Sequence, residues 1–82
     1  MDTTEDLIEQ PKHYARYAIQ PIEFIMHNGL PFHTGNIIKY ASRAGYKLYP
    51  DMTAEQSEVT DLRKVIRYAE MRINQIEGGD SL

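Results

Sequence analysis

Eighty-two residues with a net charge of −3 and no cysteine make one small domain near the lower size limit for unaided folding, and exclude disulfides and thiolate metal sites. The acidic balance argues against a general binder of nucleic-acid polymers. No stretch approaches the ~20 apolar residues that span a bilayer, and an N-terminus carrying Asp2, Glu5, Asp6 and Glu9 does not read as a signal peptide. The expectation is a soluble, cytoplasmic protein with no membrane partner, supported at this size by assembly into a homo-oligomer.

In chain order, residues 1–10 read as a flexible acidic arm, residues 11–77 as a single helical domain and residues 78–82 as a flexible tail. Pro11-Lys12-His13-Tyr14 and the stretch from Ala15 to Gln20 show no clear period and read as irregular or extended, with a short strand one option. Pro21 suits the first position of a helix, whose apolar content is Ile22, Phe24, Ile25 and Met26 and whose stop is Asn28-Gly29, reinforced by Pro31. Thr34 is placed to cap a second helix that runs to about Ala44 and ends at Gly45. Thr53 and Gln56 have capping-box spacing, so a third helix starts there and reaches Ile76 before Gly78-Gly79. A break near Thr60 would divide it in two. On that helix Val59, Leu62, Ile66, Ala69, Ile73 and Ile76 alternate spacings of three and four, a heptad seam. The seam suits packing on the other helices, on a symmetry mate, or on both. The fold class expected is all-α, a small three-helix bundle-like domain with an irregular or extended N-terminal segment.

Chemistry concentrates on the second helix. Lys39, Arg43 and Lys47 recur at i, i+4, i+8, with Asn36 on the same side. Arginine offers phosphate a two-pronged fork, lysine a movable charge and asparagine a neutral hydrogen-bonding group. Gly35-Asn36, read as the helix start, would add free N–H groups and the positive end of the helix dipole. That start lies about 10 Å from Arg43 along the helix, so a nucleotide would bridge them where a lone phosphate would not. A solvated face with ordinary ion pairs is the plainer alternative. Arg63, Lys64 and Arg67 form a second basic group on the third helix, where Asp61 with Lys64 and Arg67 with Glu70 are spaced to pair locally. If the second and third helices pack antiparallel, the two groups face one cleft. Six tyrosines, Tyr40 among them, suit base stacking beside cations, or equally a core edge or subunit interface. His13, His27 and His33 lack metal-ligand spacing, so no metal is expected, and no phosphate-binding glycine loop is present.

Pro11-x-His13-Tyr14, Ile22-Glu23, the block from Gly35 to Lys47, and Asp61-Leu62-x-Lys64 with Tyr68 together resemble a small bacteriophage family, SaV-like proteins or phage nucleotide kinases of the T7 type, which phosphorylate deoxynucleoside monophosphates. The resemblance spans roughly residues 11–76. It implies a phage protein acting in the host cytoplasm, with a nucleotide or other small phosphorylated ligand as partner. The nucleotide site it implies uses Tyr14, Asn36, Lys39, Tyr40, Arg43, Lys47 and Lys64. Catalysis, if it occurs, would use His13, Lys39, Arg43 and Asp61, with ATP as phosphate donor. Three functions stay open: nucleoside monophosphate kinase, non-catalytic binder of nucleotides or of nucleotide-derived defence signals, and host-protein interaction module.

Overall fold

The computed structural model describes residues 17–78. Within them the chain is all-α: α1 (Pro21–His27), α2 (Phe32–Arg43) and α3 (Ala54–Ile76), with no strand among the described residues. Residues 17–19 form bends ahead of α1, in keeping with an irregular lead-in, and the Tyr17 hydroxyl donates to the Ser42 carbonyl, fastening that lead-in to α2. His13 and Tyr14 lie outside the described residues, as do the acidic arm and residues 79–82. No described helix is long and apolar enough to cross a membrane.

Pro21 opens α1, where its missing N–H costs nothing, and the Glu23 carboxylate accepts from the Gln20 N–H at 3.1 Å. α2 begins earlier than the expected Thr34 cap. Pro31 is the N-cap, and its carbonyl takes the first helical bond, from the Gly35 N–H at 2.8 Å. Thr34 therefore sits inside the first turn. α3 starts at the expected capping box: the Gln56 N–H donates to Thr53 Oγ1 at 3.0 Å, and the Thr53 N–H donates to Gln56 Oε1 at 2.8 Å. It continues unbroken through Thr60, whose hydroxyl bonds back to the Gln56 carbonyl at 2.8 Å. Its 23 residues span roughly 35 Å.

Two contacts set the helices. α1 rests on α2 at Gly35, where a Cβ would stand 2.9 Å from Ile25 Cγ2; only glycine permits that approach. α2 lies along α3 through a mixed polar and aromatic face. Tyr40 stacks on Tyr68 at 5.8 Å with 10° between the rings, and Phe32 and His33 meet Tyr68 edge-on at 5.8 and 6.5 Å.

Burial departs from the usual pattern. Among the described residues no hydrophobic side chain other than Pro21 is buried, whereas Ser57 and Asp61 are completely so. The heptad seam does not pack on α2: Val59, Leu62, Ile66, Ile73 and Ile76 face outward, and Ile66 is 54% exposed. The face of α3 that meets α2 runs instead through Ser57, Asp61, Lys64 and Tyr68. Its choice follows from partners rather than hydropathy, because the cations and tyrosines of α2 match the polar face of α3.

Candidate functional site

The loop between α2 and α3 builds the site. Past Arg43, Gly45 takes a φ of 90°, a left-handed conformation that suits glycine, and the chain leaves the helix toward α3. The turn at Tyr49-Pro50-Asp51-Met52 closes with the Met52 N–H on the Tyr49 carbonyl at 3.2 Å, with Asp51 at φ 63° as a type II turn requires of its third residue. The Tyr49 N–H then donates to Ser57 Oγ at 2.9 Å. Buried Ser57 thereby pins the loop to the first turns of α3 and aims the Tyr49 ring back between the helices.

Tyr49 is the hub. Its hydroxyl donates to Asp61 Oδ1 at 2.6 Å and accepts from Lys64 Nζ at 3.1 Å and from Arg43 Nη2. Arg43 Nε also meets Asp61 Oδ1, at 3.2 Å, an ion pair whose carboxylate is wholly buried and whose guanidinium is 13% exposed. Burial works against the Arg43 charge. The hydrogen bonds to Tyr49 and Asp61 and the attraction of that carboxylate outweigh it, so the guanidinium pKa is raised above its usual value. Arg43 stays charged at every accessible pH. The second carboxylate oxygen, Asp61 Oδ2, is buried without a hydrogen-bond partner, as is His33 Nε2.

Around this core the remaining cations gather on two aromatic rings. Lys39 Nζ, Lys64 Nζ and the Arg43 guanidinium carbon stand 5.1, 4.9 and 4.6 Å from the centre of the Tyr40 ring. Lys47 Nζ, Lys64 Nζ and the Arg43 guanidinium carbon stand 5.5, 4.9 and 5.6 Å from the centre of the Tyr49 ring. Both rings offer their electron-rich faces to positive charge. Four cations thus gather around one buried carboxylate, with Glu58 at the rim against Gly45. Arg43 and Asp61 answer one another, and the ammonium groups of Lys39, Lys47 and Lys64 form no ion pair among the described residues.

The site residues expected from sequence therefore divide. Lys39, Tyr40, Arg43, Lys47, Asp61 and Lys64 come together where α2, the loop and α3 meet. Asn36 does not join them, because its side-chain amide donates to the Phe32 carbonyl of its own helix at 2.9 Å. The anion cradle expected at Gly35-Asn36 is also absent: the helix starts at Phe32, the Gly35 N–H is bonded to Pro31, and Gly35 serves the contact with Ile25. Asp61 pairs with Arg43 of α2 and not with Lys64 of its own helix. Tyr49 and Ser57 are additions that sequence reasoning did not single out. Their only local signal is a tyrosine before a Pro-Asp turn and a serine one turn into a capped helix.

No curated protein and no solved structure matches the chain. Residues 8–70 match the model of a family described as a protein of unknown function, DUF3310. That match corrects the resemblance to SaV-like proteins and phage nucleotide kinases, for the motifs that carried it lie within a family whose description names no reaction. The block from Gly35 to Lys47 also has structural duties, Gly35 against Ile25 and Arg43 against Asp61, and residues that specify a fold do not specify a reaction. With more than half of its length covered by the match, the chain belongs to the DUF3310 family.

Proposed function

We propose that this protein binds a small phosphorylated ligand of the nucleoside phosphate class on the surface formed by Lys39, Lys47 and Lys64 over the rings of Tyr40 and Tyr49. The observation that carries this reading is the charge imbalance of the cluster: three ammonium groups that form no ion pair among the described residues sit beside two tyrosines, while the buried carboxylate of Asp61 is already taken by Arg43. Phosphate oxygens accept charge-assisted hydrogen bonds from lysine, and a base reaching the cluster stacks on a ring face, the lysines leaving the rings for the phosphate. Arg43 acts here as a positioning residue, holding Tyr49 and the two helices in place.

Binding without chemistry is the favoured form of the proposal. Asp61, the carboxylate best placed by sequence to carry a proton, is wholly buried with Oδ1 held by Arg43 and Tyr49, so a substrate hydroxyl does not reach it without displacing them. Ligands that fit include nucleoside monophosphates and signalling molecules derived from nucleotides.

Melting temperature measured across a panel of nucleotides, nucleosides and sugar phosphates tests the reading. A bound nucleotide raises the midpoint in proportion to its occupancy. Lys39→Ala and Lys64→Ala each weaken binding by about tenfold or more, and Arg67→Ala, on an exposed part of α3, leaves it unchanged. If no phosphorylated compound shifts the midpoint of wild type, the proposal is wrong. If ATP with a deoxynucleoside monophosphate yields a diphosphate, the non-catalytic form is wrong.

A further inference from the structure

The apolar stripe of α3 is left without cover among the described residues. Val59, Leu62, Ile66, Ile73 and Ile76 are between 43% and 66% exposed, and they lie roughly 150° around the helix from the residues that meet α2. An amphipathic helix packed on its own domain normally turns its apolar stripe inward. This one turns inward a face carrying serine, aspartate, lysine and tyrosine.

The stripe has the register of a two-stranded coiled coil. With Val59, Ile66 and Ile73 at the a positions, Leu62, Ala69 and Ile76 fall at d. β-Branched residues fill all three a positions and Leu62 one of the three d positions, the combination that favours a pair of parallel strands. The flanking charges agree with the same arrangement. In a parallel pair each g residue faces the e residue five places on in the other strand, which sets Arg72 against Glu77 of the second copy. It also brings Arg63 of the second copy to Glu58, whose exposed carboxylate lies against Gly45 within one chain and turns from it to pair. The remaining combination, Val65 with Glu70, is uncharged on one side, so no like charges meet.

We infer that two copies of this chain pair in parallel along α3, with the seam running from Val59 to Ile76. The pairing supplies the apolar burial that the described residues lack within one chain, which a domain of this size needs from some source. The Lys39, Lys47 and Lys64 surface lies on the other side of α3, so pairing leaves it open, and the inference stands or falls separately from ligand binding.

These 82 residues contain no cysteine, which makes the geometry directly testable. Light scattering on wild type at tens of micromolar is expected to give about twice the 9.5 kDa chain mass. Val59→Cys is expected to form a disulfide-linked dimer on mild oxidation, because a position faces a position in the parallel register; in an antiparallel pair the two residues stand roughly 25 Å apart and stay reduced. Arg63→Glu weakens the dimer by about tenfold, and adding Glu58→Arg to it restores the affinity. The charge swap sits on the surface, so it reads pairing even where a core substitution such as Ile66→Glu fails to fold. A monomeric wild type, a Val59→Cys variant that never cross-links, or an Arg63→Glu defect that Glu58→Arg leaves in place would each overturn the inference.

Discussion

Neighbouring residues of α3 live in opposite surroundings. Asp61 is fully buried and ion-paired to α2, while Leu62, the next residue along the chain, is 43% exposed. The same contrast holds along the helix: Ser57, Lys64 and Tyr68 face α2, and Val59, Ile66 and Ile73 face away. The inner face gets its specificity from hydrogen bonds and charge, which tolerate few alternatives because each buried polar group needs its own partner. The outer face offers generic apolar area, which fixes little about the fold of one chain and much about what the chain can associate with.

Substitutions at adjacent positions sharpen or break that contrast. The largest effect is expected from Asp61→Ala, which leaves the Arg43 guanidinium without its carboxylate between the helices. Loss of one partner from a buried pair costs about 3–5 kcal/mol, enough to unfold much of a marginally stable domain. Urea unfolding followed by circular dichroism measures it, and a loss under about 1 kcal/mol would mean the pair behaves as a surface salt bridge. Removing both charges together, Arg43→Met with Asp61→Leu, is expected to recover most of that loss, because apolar residues of similar volume often replace a buried pair without penalty. Strict additivity of the single variants in the same urea assay would contradict this. Gly35→Ala comes next: a Cβ 2.9 Å from Ile25 Cγ2 forces α1 off α2 at a cost of about 1–3 kcal/mol, partly offset by the better helix propensity of alanine. A raised melting temperature would show that the contact yields freely. The smallest effect belongs to Leu62→Ala. In dilute monomer its cost stays within about 0.5 kcal/mol, and it grows with protein concentration as copies pair. A large loss that is independent of concentration would place Leu62 inside the folded monomer after all.

Features governed by residues three or four apart were legible in the sequence. The Thr53–Gln56 box and the row of cations on α2 depend on local spacing, and all three helices form; that α3 runs through Thr60 without a break was left open by the sequence and is shown by the structure. The start of α2 is not legible locally, because a threonine three places into the helix looks like a cap, while Pro31 supplies the same extended conformation earlier and its carbonyl takes the first bond. The hub of the site was not legible. Tyr49 reaches Asp61 across 12 residues and Arg43 reaches it across 18, through a loop whose course depends on the Gly45 and Asp51 backbone and on the Ser57 hydroxyl together. Heptad spacing showed that α3 has an apolar side, but periodicity cannot say which partner that side meets. The spacing of Lys39 and Arg43 puts them on one side of α2, whereas the role of Arg43 there depends on the buried carboxylate opposite.

Calorimetric titration of wild-type protein at low salt with a deoxynucleoside 5′-monophosphate, its parent nucleoside and ribose 5-phosphate tests the central claim most directly. The account predicts that the nucleotide binds, that removing either the phosphate or the base weakens binding by about tenfold or more, and that added salt weakens what the phosphate contributes. Equal binding of nucleotide and nucleoside, or no heat from any of the three, would contradict it.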